Sequence, residues 1–139
     1  MSYSDNHQRL VRLSPLIREA IAFASAEREL TATPALTTGH MLLGLLRLPA
    51  IQALYKHDIV LERVRPLVYA AVQYGEVGQR AAEWSRELAT LFEVFSTKIQ
   101  DNPDVPQEVL LLRQLIRQPN TISSQILSSL GITIEGIQP

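Results

Sequence analysis

The same order of sequence features occurs twice in this chain, and an internal repeat constrains the fold more than any other single feature. Each copy has an amphipathic segment that begins at a serine, a loop containing proline, a short apolar run and a matching tail. The two tails, residues 53–64 and 126–137, align with their apolar positions and one glutamate in register. The copies are about 70 residues apart, so we predict two helical units of similar architecture.

Helical periodicity identifies the first element of each copy. Ser14 followed by Pro15 is a typical N-cap and first-residue pair, since serine accepts an unpaired backbone N–H and proline has none. Ser85 lies at the equivalent place in the second copy. Apolar residues then recur at helical spacing, which predicts an amphipathic helix in each copy. They are Leu13, Leu16, Ile17, Ala20, Ile21 and Ala24 in the first copy, and Trp84, Leu88, Leu91, Phe92 and Phe95 in the second.

A short run that is apolar on every side marks the centre of each copy. In the first copy this run is residues 41–46, and in the second it is residues 109–112 with Leu115 and Ile116. A helix with no polar face has to be surrounded by other elements. We therefore expect six leucines of these runs to be buried: Leu42, Leu43, Leu46, Leu111, Leu112 and Leu115.

These features together predict an all-α fold of two repeats related by a pseudo-twofold axis. We expect a polar N-terminal tail over residues 1–12, a first repeat over 13–74, a linker over 75–80 and a second repeat over 81–139. The linker assignment rests on its two glycines. The sequence ends at Pro139, soon after the second tail, so the last helix of this repeat is expected to be missing or stunted.

Charge and composition argue against several classes of protein. The chain has 13 lysines plus arginines against 14 aspartates plus glutamates, a net charge of −1. This balance is atypical of proteins that bind nucleic acid or anionic membranes. The chain contains no cysteine, which excludes disulfides, thiolate nucleophiles and cysteine-ligated metals. No signal sequence and no apolar stretch of about 18 residues is present, so we expect a cytoplasmic protein without membrane or nucleic-acid partners.

No grouping of residues in the sequence points to catalysis or to a bound cofactor. The three histidines, His7, His40 and His57, lack the spacing that places two metal ligands on one helical face. His40 is expected to cap or pack against the buried helix rather than titrate. Two acidic pairs are expected to lie on solvated helix faces: Glu27 with Glu29, and Glu83 with Glu87. We predict no enzymatic activity, no cofactor and no metal site.

The middle motif of each copy carries a resemblance to a known family. It reads Thr-Gly-His-Met-Leu-Leu-Gly-Leu-Leu-Arg over residues 38–47 and Gln-Glu-Val-Leu-Leu-Leu-Arg over residues 107–113. With the two tails, these motifs resemble the double Clp R repeat, the N-terminal domain of Clp-type protein-unfolding ATPases, from about Leu13 onward. Family members typically begin this motif with Thr-Glu-His. This chain has Gly39 at the first glutamate position and Glu108 at the second.

The resemblance implies a helical bundle that docks substrates and adaptor proteins for an ATPase motor. The sequence contains no Gly-rich phosphate-binding loop with a lysine, the motif that an ATPase motor of this kind requires. The resemblance therefore implies a stand-alone accessory module. Its implied partners are Clp motor or protease subunits, adaptor proteins or unfolded substrates.

The resemblance also implies a binding site at the start of each middle motif. In the family, the motif glutamate helps to bind phosphorylated arginine on substrates. Carried over by position, the protein-binding residues are Thr38, Gly39, His40, Gln107 and Glu108. Gly39 predicts that the first site has lost guanidinium recognition, while exposed N–H groups there still attract an anion. Alternatively, Glu108 is an ordinary helix-start residue that the helix dipole favours.

A helix-turn-helix DNA-binding regulator is the alternative function. Arg113 and Arg117 are four residues apart and form one basic stripe, and Arg63 with Arg65 forms another basic neighbourhood. Against this alternative, the helix over residues 41–46 that would read DNA is almost wholly apolar and offers no donors to base edges.

Overall fold

The computed structural model describes residues 12–55, 59–74, 76 and 83–133, with residue 54 by its backbone alone. These residues form seven α-helices, and the described part of the chain contains no strand beyond an isolated bridge. The all-α prediction is therefore confirmed for this part of the protein. The helices are α1 (Pro15–Thr31), α2 (Thr38–Leu46), α3 (Pro49–Tyr55), α4 (Leu61–Ala71), α5 (Arg86–Asp101), α6 (Gln107–Arg117) and α7 (Ile122–Ser129).

Serine caps begin the two longest helices, as the sequence predicts. The Ser14 hydroxyl accepts the backbone N–H of Ile17 at 3.3 Å, and the Ser85 hydroxyl accepts that of Leu88 at 3.0 Å. Both serines have an extended backbone, with φ and ψ of −68° and 160° at Ser14 and of −64° and 156° at Ser85. A cap of this kind satisfies an N–H that has no partner within the helix. The two helix starts are thus set by local sequence.

Helix α2 lies at the centre of the fold. All nine of its residues are buried, and it packs against each of the other six described helices. Its approach to α1 is close because Gly44 has no side chain. A Cβ atom at this position would lie 2.2 Å from the Ala20 carbonyl oxygen and 2.7 Å from the Ala24 nitrogen. The all-apolar run therefore forms the central buried element that its composition predicts.

The hydrophobic core extends from α2 into both halves of the chain. All six leucines predicted to be buried are at most 2% exposed. In the second half, Phe92 and Phe95 are fully buried and Trp84 is partly buried. The ring of Phe92 makes edge contacts with Trp84 at 4.9 Å and with Phe95 at 5.2 Å between centroids. Phe92 and Phe95 are therefore core residues, and Trp84 packs against the core.

The segments that precede α2 and α5 lie side by side. The Leu36 N–H donates to the Glu83 carbonyl at 2.9 Å, and the Ser85 N–H donates to the Leu36 carbonyl at 2.8 Å. This isolated parallel bridge places the start of α5 next to the start of α2. The N-terminus of α7 lies at the same place, because the Ser123 N–H donates to the Thr38 hydroxyl at 3.1 Å.

The predicted boundaries fall partly outside the described residues. Of the linker predicted over residues 75–80, the structure describes Glu76 alone, and its side chain is buried rather than solvated. Most of the tail 1–12 and residues 134–139, where a last helix is predicted to be stunted, lie outside the described residues. None of the described helices is long and apolar enough to span a bilayer.

Candidate functional site

The first predicted site, Thr38, Gly39 and His40, forms the first turn of α2 and is buried. The N-cap of this helix is Thr37. The Thr37 hydroxyl accepts the His40 N–H at 3.2 Å, and the Thr37 N–H donates to His40 Nδ1 at 3.0 Å. This reciprocal arrangement is a capping box in which histidine takes the place of the usual glutamate or glutamine. His40 is thus a capping residue, as expected.

The expectation that this helix start exposes N–H groups to an anion is wrong. The side chains of Thr38 and His40 are 0% exposed, and Gly39 is buried as well. The Thr38 N–H already donates to a carboxylate of the same chain, Glu76 Oε1, at 2.8 Å. The attraction of a helix N-terminus for an anion is therefore real here, but it is satisfied from within the protein.

A glutamate side chain at position 39 would not fit unless neighbouring side chains moved. A Cβ atom there would lie 2.9 Å from the Ile122 Cγ2 atom and 3.0 Å from the Val68 Cγ1 atom. Helices α4 and α7 therefore cover the position of Gly39. The glycine allows this covering because it presents no side chain to either neighbour.

The protonation state of His40 follows from its hydrogen bonds. A backbone N–H is always a donor, so Nδ1 of His40, which accepts the Thr37 N–H, carries no proton. The proton therefore lies on Nε2, which is 2.9 Å from the Thr31 hydroxyl oxygen. Burial, together with the positive charge of Arg28, lowers the pKa of His40 from 6.5 to about 4, although Glu27 opposes the shift. The imidazole is neutral at physiological pH.

The second predicted site, Gln107 and Glu108, lies in the first turn of α6 and differs from the first. Gln107 Oε1 accepts the Ser14 N–H at 2.8 Å, and its Nε2 donates to the Arg12 carbonyl at 3.2 Å. Gln107 therefore fixes the start of α1. Glu108 is partly exposed and lies near the helix N-terminus, where a carboxylate is favoured. Of the five predicted residues, Glu108 is best placed to reach a partner.

Glu27 contradicts the expectation that it lies on a solvated helix face. Its side chain is 1% exposed and contacts two arginines and a tyrosine from other parts of the fold. Arg47 Nη1 lies 3.2 Å and Arg65 Nη2 lies 2.9 Å from Oε2. The Tyr69 hydroxyl donates to Oε1 at 2.9 Å. One carboxylate of α1 therefore ties the end of α2 to α4.

The charge of Glu27 is stabilised in spite of its burial. Burial alone raises the pKa of a carboxyl group, but hydrogen bonds from Arg65 and Tyr69 and the charges of Arg65 and Arg47 outweigh it. The pKa of Glu27 is consequently lowered from 4.5. The sequence did contain a signal for this burial, because Glu27 follows Ala20 and Ala24 on the apolar face of α1.

Glu76 is the second buried acid, and the sequence contains no signal for its burial. It is 8% exposed, and each of its carboxylate oxygens accepts one backbone N–H and one hydroxyl. Oε1 accepts the Thr38 N–H at 2.8 Å and the Ser85 hydroxyl at 2.9 Å. Oε2 accepts the Ile122 N–H at 2.8 Å and the Thr38 hydroxyl. The nearest of these partners in sequence is nine residues away, so no local pattern predicts the site.

The described residues form no grouping of three or more side chains suited to a metal ion. His7 and His57 lie outside the described residues. The buried titratable side chains of Glu27, His40 and Glu76 all have structural hydrogen-bond partners within the chain. These hydrogen bonds hold helices and helix starts in position.

Neither the comparison with models of known protein families nor that with curated proteins finds a match to this chain.

Proposed function

We propose that this protein is a non-catalytic protein-binding module of the Clp R type, built from two helical repeats related by a pseudo-twofold axis. The observation that carries the proposal is the order and length of the helices. A Ser-capped helix of 17 residues, a buried helix of 9 and a short helix of 7 form the first half. Helices of 16, 11 and 8 residues follow in the same order in the second half. Such recurrence is typical of a duplicated unit.

Two local details support the same proposal. The N-caps Ser14 and Ser85 adopt nearly the same backbone conformation, with ψ of 160° and 156°. Near the end of the second unit, Gly131 has a φ of +75°, a left-handed conformation that glycine adopts freely where a helix ends. The aligned residue of the first tail, Asp58, lies outside the described residues. Under this proposal, α4 is the fourth and last helix of the first unit.

A binding role also agrees with how the buried polar groups are used. Glu27 and Glu76 each accept hydrogen bonds from several elements, which stabilises the fold rather than leaving a reactive group free. Under this proposal the partners are Clp motor or protease subunits, adaptor proteins or unfolded substrates. The module would bring such partners to the ATPase. Glu108 is the candidate contact residue because it is partly exposed at a helix start.

Affinity capture from an extract of the protein's own cells tests this function. We expect the folded, immobilised chain to retain Clp motor, protease or adaptor subunits, identified by mass spectrometry and then titrated as purified proteins. A urea-denatured, immobilised sample is the essential control, because Clp machines also bind unfolded chains. Equal capture by both samples would mean that the protein is a substrate, and no Clp-related subunit in the folded capture would contradict the proposal.

The structure weakens the DNA-binding alternative. Helix α2, which contains the apolar run considered for the recognition helix, is buried on every side and is unavailable to a DNA groove. No contact among the described residues favours the regulator over the binding module. Electrophoretic shifts with duplex DNA at 50 and 200 mM salt would separate the two functions. Binding that falls steeply with salt would support the regulator, since phosphate contacts release counterions.

A further inference from the structure

The four donors around Glu76 are held in place by contacts that do not involve Glu76. The capping box of Thr37 and His40 fixes the start of α2, and the Thr121 hydroxyl, which accepts the Ser124 N–H at 3.2 Å, fixes the start of α7. The bridge between Leu36 and Trp84 fixes the segment that carries Ser85. The donors therefore belong to preformed elements, and their directions are set by the fold.

The two hydroxyl groups are oriented by a second layer of hydrogen bonds. The Thr38 hydroxyl oxygen accepts the Ser123 N–H at 3.1 Å, and the Ser85 hydroxyl oxygen accepts the Leu88 N–H at 3.0 Å. With these acceptor positions occupied, both hydroxyl protons point to the carboxylate. The result is two pairs of donors, each pair made of one N–H and one O–H, facing two oxygen atoms.

The charge and shape of this arrangement favour a carboxylate. The N-termini of α2 and α7 both face the group and carry partial positive charge, which stabilises an anion. The donors serve two separate oxygen atoms, so a single-atom anion such as chloride meets only part of them. A planar ligand with two oxygens and one negative charge satisfies all four.

We propose that the N-termini of α2 and α7, together with the Ser85 hydroxyl, form a carboxylate-binding cradle. Glu76 fills it as an internal ligand, and a small free carboxylate occupies it when this side chain is removed. In the intact protein the cradle is closed to external carboxylates, because Glu76 is covalently attached and so has a high effective concentration. The inference goes beyond the proposed protein-binding function and does not depend on it.

Removal of the internal ligand by Glu76→Ala tests the cradle. Without it, two backbone N–H groups and two hydroxyls lose a charged acceptor, and we expect Tm to fall by about 10 °C or more. Sodium formate should restore a large part of this loss in a saturable manner, and sodium chloride at equal ionic strength should not. Ligand that binds only the folded state raises stability in proportion to ln(1 + [L]/Kd).

Two controls separate specific binding from a general salt effect. The unmodified protein and Glu93→Ala, which removes an exposed glutamate on α5, should show only the small shift common to all salts. The double variant Glu76→Ala with Thr38→Val lacks one hydroxyl donor of the cradle. Its half-saturating formate concentration should be about tenfold higher or more than that of Glu76→Ala, a change that corresponds to one hydrogen bond to a charged group.

Several results would overturn the proposal. They are an unchanged Tm in Glu76→Ala, a formate shift no larger than in Glu93→Ala, or the same formate concentration dependence with and without Thr38→Val. If Glu76→Ala is unfolded in buffer, formate should restore its helical circular dichroism signal, and failure to do so would equally contradict the cradle.

Discussion

The starts of α2 and α6 occupy equivalent positions in the two sequence copies, and the structure gives them different surroundings. At α2 the first turn is fully buried, and its backbone N–H groups donate to the capping box and to the Glu76 carboxylate. At α6 the N-cap is Pro106, which makes no side-chain capping bond, and Glu108 is partly exposed. The difference arises from neighbours rather than from the motif itself. α4 and α7 cover Gly39, whereas Gln107 is engaged with the start of α1.

This contrast shows how one local motif can serve two purposes within one chain. A helix N-terminus needs an acceptor for its unpaired N–H groups, and the acceptor can come from the same chain or from solvent or a partner. At α2 the acceptor is internal, so the helix start helps to hold the fold together. At α6 the first turn retains a partly exposed carboxylate, and we therefore expect variants of α2 to affect stability and those of α6 to affect binding.

The largest effect is expected from Gly44→Ala in the middle of α2. The added Cβ atom would lie 2.2 Å from the Ala20 carbonyl oxygen of α1. This atom belongs to the helix backbone, so the clash can be relieved only if one helix moves away from the other. We expect a loss of about 3 kcal/mol or more in the free energy of unfolding, measured by urea denaturation. Gly131→Ala is the control, since its Cβ meets no atom within 4 Å and only the left-handed backbone is strained.

We expect Gly131→Ala to cost about 1 kcal/mol, the ordinary penalty for a side chain in the left-handed region. Equal losses in the two glycine variants would contradict the close packing of α1 on α2. They would also remove the reason for treating α2 as the central element.

A pH dependence should distinguish the start of α2 from that of α6, where Val109 takes the place of His40. The folded pKa of His40 is about 4 and the unfolded value is 6.5. Between these values the unfolded chain binds more protons, so stability falls as the pH is lowered. We expect the unmodified protein to lose about 2 kcal/mol between pH 7 and pH 5 from this group.

His40→Gln keeps a capping-box residue at the third helical position and removes the titration. Its free energy of unfolding should therefore change much less over the same pH range, when both proteins are measured by urea denaturation. The pKa of Glu27 is lowered, and its contribution is lost only as the pH falls below about 4.5, which places its titration outside the interval from 7 to 5. Parallel pH profiles for the two proteins would contradict this assignment.

A smaller effect should separate the C-terminal ends of α2 and α6, where Arg47 and Arg117 lie. Arg47 contacts the buried Glu27 carboxylate and lies 4.3 Å from the centroid of the Phe23 ring. Arg117 is exposed at the end of α6. We expect Arg47→Ala to lower stability by about 1 to 2 kcal/mol and Arg117→Ala by less than about 0.5 kcal/mol. A reversed order in thermal unfolding would show that the ion cluster does not stabilise the fold.

The smallest effect on stability, and the most informative one for function, is expected from Glu108→Ala. Loss of one carboxylate near a helix N-terminus costs about 0.3 to 1 kcal/mol, which shifts Tm by a few degrees. Phosphoarginine binding, followed by calorimetry, should weaken if the resemblance carries over. Undetectable binding to the unmodified protein, or identical affinities in the two, would confine Glu108 to a helix-capping role.

Sequence reasoning succeeded where the signal is local or periodic. The serine caps and the six buried leucines both follow from residue type and spacing. It failed for buried charges. Glu27 lies on an apolar stripe, but its burial depends on Arg65 and Tyr69, which are 38 and 42 residues away. Without those partners a buried carboxylate would be costly, so the sequence pattern alone favoured solvent.

The sequence by itself determined that the chain forms helices, where the two longest of them start and which faces are apolar. These properties depend on interactions within a few residues, such as a serine cap or a 3.6-residue period. Only the tertiary structure decided that Glu76 joins three helix N-termini and that Gly39 is covered by α4 and α7. The physical reason is that the burial of a charge is decided by donors brought from distant parts of the chain, which no local pattern specifies.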